Sequence, residues 1–89
     1  MIEDMLLIDY DPFARDSRII VVQNEQRSML TACSDLPELT QALIGYTKQF
    51  NLYNVRMHAT LNTFYEFKRQ LEQTEKDVYS ENKISLEIC

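Results

Sequence analysis

Short apolar runs open this chain, give way to helical spacing, return to alternation, and then repeat that change once more. The order of those changes limits the possible folds more than any single motif does. Met5-Leu6-Leu7-Ile8 is a continuous apolar run bounded by charges, which predicts a central strand covered on both faces. Ile19-Ile20-Val21-Val22 is β-branched throughout and gives the strongest strand signal. Ser28 to Cys33 reads as a third strand, antiparallel to the second across the polar turn Gln23–Arg27. Residues 10–18 read as the longest irregular segment. Pro12 cannot donate to a ladder there, and Asp11 before it is biased away from helical geometry.

Ser34-Asp35-Leu36-Pro37-Glu38 has the form of a helix start, with Asp35 as cap, Glu38 completing a capping box and Pro37 tolerated in the first turn. Leu36, Leu39, Leu43, Tyr46 or Thr47, and Phe50 then recur at helical spacing, and Asn51 to Asn54 closes the helix. Val55, Met57 and Ala59 alternate with Arg56, His58 and Thr60 as a short strand. Asn62 or Thr63 caps a second helix, with Phe64, Phe67, Leu71, Thr74 and Val78 inward and Glu66, Lys68, Arg69, Glu72, Gln73, Glu75 and Lys76 outward. Tyr79 to Asn82 ends it, and Ile84, Leu86 and Ile88 alternate as a last strand. The expected fold is a single α/β domain over residues 1–89. It has one five-stranded mixed sheet of order βββαβαβ, two crossover helices, strands two and three as a hairpin on one side, and strand one in the centre.

One Gly and two Pro in 89 residues argue for dense regular structure and against a glycine-rich phosphate loop. Gly45 lies inside the first helix, where close approach to the sheet or to a partner would account for it. The net charge of −5 disfavours direct binding to nucleic acid, which is driven by Lys and Arg displacing counterions. The acidic start Met1-Ile2-Glu3-Asp4 lacks the pattern of a signal peptide, and no apolar run is long enough to cross a bilayer, so a cytoplasmic location is expected. Cys33 and Cys89 have no zinc spacing with the single His58. Two reduced thiols are the simpler reading, with a disulfide between them left open.

The strand order and the run Leu6-Leu7-Ile8-Asp9, an apolar strand ending in an acid, resemble the ribonuclease-H-like fold, a superfamily that includes Holliday-junction resolvases. The resemblance implies that Asp9 holds a divalent metal and that Glu38 supplies a second carboxylate for two-metal phosphodiester chemistry. The chain departs from that pattern in having Ala59-Thr60 and Asn62 where an acid is common after strand four, and no Gly after Asp9. These departures leave the catalytic set incomplete. The competing architecture is a ferredoxin-like α+β sheet, with the first run dangling or swapped.

Other groups have plainer readings. Asp9, Asp11 and Asp16 cap a strand end and pair with Arg15 and Arg18 rather than build a calcium loop. His58 is a solvated or hydrogen-bonded sheet-face residue, and Cys33 is a small buried one. Tyr10, Phe13, Tyr53 and Tyr65 fall off the inner helical stripes and form the candidate partner surface, because aromatics near acids anchor protein interfaces. The favoured function is therefore a small acidic, non-enzymatic protein-interaction module that needs no cofactor. One version is a phage- or mobile-element-encoded inhibitor or accessory factor acting on a basic nucleic-acid-binding protein. The alternative is a degenerate or minimal metal-dependent nuclease using Asp9 and Glu38. A homodimer built on the last strand is a third reading.

Overall fold

The computed structural model describes residues 2–77 and 84–89, the side chains of 75–77 excepted. Along the chain it has β1 (Met5–Asp11), β2 (Asp16–Gln23), β3 (Gln26–Cys33), α1 (Leu36–Phe50), β4 (Asn54–His58), α2 (Leu61–Asp77) and β5 (Ser85–Ile88). The expected positions of Val78 and of the helix end at Tyr79–Asn82 lie outside the described residues, as do the outward side chains of Glu75 and Lys76.

The sheet order is β3-β2-β1-β4-β5. The hairpin β2–β3 is antiparallel and sits on one side, and β4 and β5 run parallel to β1 on the other. The first apolar run is thus neither dangling nor swapped. It pairs with β2 along its whole length and with β4 from Leu6 to Asp9, so the ferredoxin-like alternative is set aside.

Both crossovers, β3-α1-β4 and β4-α2-β5, step in the same direction across the sheet. Right-handed connections then put both helices on one face. The core lies between that face and the helices. Leu6, Ile8, Ile19, Val21, Cys33, Val55 and Met57 come from the sheet, and Leu39, Leu43, Phe64, Phe67 and Leu71 from the helices. The expectation that β1 is covered on both faces is therefore corrected. Leu6 and Ile8 are buried, their neighbours Met5 and Leu7 only half-buried, and Asp9 exposed.

The segment 10–18 is mostly strand. Pairing continues through Tyr10↔Ser17 and Asp11↔Asp16. Asp11 Oδ1 accepts from the amides of Phe13 (2.9 Å) and Ala14 (3.3 Å), and the Arg15 amide donates to the Asp11 carbonyl. One carboxylate thus closes the loop tightly enough for both strands to reach it. The second hairpin turns on Asn24 and Glu25 alone, both with positive φ, as the favoured two-residue hairpin turn requires.

Asp35 caps α1 as expected, accepting from the Glu38 amide at 2.8 Å. The reciprocal half of the box differs: Glu38 Oε2 accepts from the amide and hydroxyl of Ser34, one residue before the cap. Asp35→Ala is expected to lower stability by about 1 kcal/mol, read as a lower urea midpoint with an unchanged slope. The inner stripe of α1 includes buried Thr40 and Thr47, whose hydroxyls donate to the carbonyls of Leu36 and Ile44 and so lose no hydrogen bond on burial. For α2 the cap is Thr60, whose Oγ1 accepts from the Thr63 amide. Asn62 and Thr63 lie inside the first turn.

Candidate functional site

The sheet face opposite the helices carries the most distinctive surface. Strand alternation and register place Met5, Leu7 and Asp9 of β1 there, beside Val22, Ile20 and Arg18 of β2 and Arg56 and His58 of β4. Ile2, Met5, Leu7, Ile20 and Val22 make the apolar floor of a concavity of about 580 Å³. Arg27 stands on one side of it, and Arg56, His58, Asp9 and Cys89 on the other. Val22 is fully buried yet lies on this face, while Ile2 is about half exposed.

The rim is polar and loosely paired. Asp9 and His58 are register partners on parallel strands, and His58 Nδ1 lies 3.4 Å from Asp9 Oδ1. Both side chains are more than half exposed, so this contact contributes little to stability. Among the described residues it is the only ion-pair contact, so the expected pairing of the first-loop carboxylates with Arg15 and Arg18 is not seen. Asp11 instead serves its own loop amides. Arg27 and Arg56 have no carboxylate within ion-pairing distance among the described residues, which leaves both guanidiniums available to a bound group.

The residues singled out in the sequence are spread around the molecule. Phe13 is 96% exposed at the tip of the first hairpin and does not fold over the sheet end, whereas Tyr10 packs against the core. Tyr65 is exposed on α2, with its ring edge-on to Phe64. Tyr53 precedes β4, at the opposite end of the strands from Phe13, and its carbonyl accepts from the Ser85 amide. Asp9 opens onto the concave face, whereas Glu38 is held by Ser34 at the foot of α1, on the helical side of the sheet. No group of three His, Cys, Asp or Glu among the described residues is arranged to hold a metal ion.

Cys33 and Cys89 are both free, the first buried on edge strand β3 and the second exposed after β5, the opposite edge. A disulfide between them is thereby excluded in this fold. Burial, reinforced by the Glu38 and Asp35 carboxylates, pushes the Cys33 thiol up, which makes it a poor nucleophile at neutral pH.

The concave face was missed because the apolar run of β1 looks alike on both sides. Its signals were the polar alternation of Arg56 and His58, and the shared direction of the two crossovers, which commits both helices to one side. No helix among the described residues is long and apolar enough to cross a membrane. No protein-family model matches the chain, and no curated protein matches it in sequence.

Proposed function

We propose that this protein is a non-enzymatic protein-interaction module and that it docks its partner on the uncovered sheet face. The observation that carries this reading is the apolar floor of Met5, Leu7, Ile20 and Val22, which no described element covers and which Arg27 and Arg56 flank. Apolar area in a hollow with a polar rim is the usual anatomy of a binding face. The two arginines favour a partner that brings apolar side chains with carboxylates beside them. An inhibitor or accessory factor of a basic nucleic-acid-binding protein would instead have to use the acids elsewhere on the surface, and has less behind it. The four aromatics do not gather into one patch, so they weigh less than the concave face.

Ile20→Lys tests the docking reading. Ile20 is half-buried on the concave face, so a lysine there can run its ammonium to solvent while ruining the apolar floor. Parallel affinity captures with the wild type and the variant, both checked for native circular dichroism, should return a partner with the first and lose it with the second. A partner retained by the folded variant would sink the docking face.

The strand order β3-β2-β1-β4-β5, with Asp9 on the central strand, supports kinship with ribonuclease-H-like proteins and keeps a nuclease as the second reading. Against catalysis stand the separate engagements of Asp9 with His58 and of Glu38 with Ser34. Titration of Mg²⁺ or Mn²⁺ into wild type and Asp9→Asn decides it. Binding lost in the variant would revive the nuclease.

A further inference from the structure

The edge formed by β3 and α1 lies away from the concave floor and has its own unexplained features. β3 is the last strand on its side, so its outward backbone groups have no ladder partner among the described residues. Beside it, a groove of about 340 Å³ runs between the strand and α1, lined by Thr31, Gln41, Ala42, Gly45, Tyr46 and Gln49, all uncharged. Gly45 is the oddest of these. It is exposed in mid-helix, its φ is not positive, and among the described residues nothing beyond its chain neighbours and its own helix backbone lies within 4 Å of where a Cβ would stand. Close approach to the sheet, one of the expected reasons for a glycine here, is therefore not the cause. A glycine in that setting costs about 1 kcal/mol relative to alanine, and no close approach of the described residues accounts for it.

Charge adds a second, independent line. Arg27 is the only charged residue of β3, and the groove-lining stripe of α1 has none. The opposite side of the molecule carries Glu87 on β5 and Glu66, Lys68, Arg69 and Glu72 on the outer face of α2. Two copies of a chain with net charge −5 repel each other, least so where each presents an edge that carries no acid and only one charge, Arg27.

We infer that this edge is a contact between two copies of the chain. β3 pairs antiparallel with β3 of the second copy about a two-fold axis, and the two α1 flanks meet over Ala42 and Gly45. The arrangement satisfies the outward backbone groups, uses the space that Gly45 leaves open and closes on itself as a dimer with both β5 edges outside. A foreign extended peptide would pair with β3 but would leave the flank of α1 over residues 41–49 uncovered. A second copy fills both. The register irregularity between Ile19 and Ile20 leaves Leu30 as an extra residue in β3, and the axis lies toward Thr31, where the groove opens.

Sedimentation equilibrium of the whole chain, taken up to about 200 µM, tests the contact, with wild type expected to be dimeric in that range. Gly45→Arg and Thr31→Lys should each raise the dimer dissociation constant roughly tenfold or more, because each puts like charges against each other across the axis. Gly45→Arg is a safe variant for folding, since arginine is a better helix former than glycine and enters open space. Ile88→Lys, on the opposite edge, should leave the dimer unchanged. A monomer throughout, a dimer indifferent to both groove variants, or a dimer broken by Ile88→Lys would each overturn the inference. None of these outcomes touches the docking reading, which rests on Ile20 and the concave face.

Discussion

Replacing Phe67 with alanine is expected to lower unfolding free energy by about 3–5 kcal/mol, close to the largest loss a single truncation can cause. Phe67 is 0% exposed and is the largest fully buried side chain, set on α2 within the cluster that also holds Leu39, Leu43 and Met57. Truncation removes its burial free energy and leaves a cavity that neighbours from two helices and the sheet cannot all move to fill. A domain of this length has a total stability of about 4–13 kcal/mol, so the variant falls near the edge of folding at room temperature. Tyr65→Ala is the control. Its ring is largely exposed and its one aromatic contact among the described residues is with Phe64, so a loss within about 1 kcal/mol is expected. Urea unfolding of the two variants reads both numbers. Equal losses would mean that the inward and outward faces of α2 are wrongly assigned.

That assignment was legible because α2 has a strong period. Phe64, Phe67 and Leu71 recur at helical spacing with charges opposite, and all three are buried. The same legibility extended to Asp35 as a cap, to Val55 and Met57 as the inner side of β4, and to the hairpin beside a central first strand. What failed did so for physical reasons. Thr60, Asn62 and Thr63 are all cap formers within one turn, and only the point where the chain leaves β4 selects Thr60. Asp11 lengthened two strands by closing their loop through its own carboxylate, which a proline-marked segment hides. Asp9 and His58 meet across 49 positions because parallel register aligns β1 with β4, and no local pattern encodes that. The glycine in α1 was legible as a point of close approach to the sheet or to a partner, and only the open space around it, which depends on how α1 sits over β3, sets the sheet aside.

The sharpest separation of core from docking face comes from two adjacent leucines on β1. Leu6→Lys is expected to abolish folding, and Leu7→Lys to leave the chain folded but without its partner. Leu6 is 0% exposed, pairs with Val21 and Val55 across its two neighbouring strands and faces the helices. An ammonium there has no route to water and no carboxylate among the core residues. The cost of burying it is several kcal/mol, added to the lost leucine packing, and together these match or exceed the domain's whole stability. Leu7 points the other way, half-buried in the concavity between Ile20 and Arg56, its register partners. A lysine at that position can lay its stem along the sheet and lift its charge out of the open hollow, so the loss in stability is about 1–2 kcal/mol. For a partner seated on that floor, the same charge has to be desolvated beside Arg56, and truncation-scale losses at the centre of an interface are about 2–4 kcal/mol. That corresponds to at least a twentyfold weaker complex. Circular dichroism and titration of the captured partner against both variants read the two effects separately. A folded Leu6→Lys would mean the helices do not cover that face. A folded Leu7→Lys that binds normally would move the docking site off the open sheet.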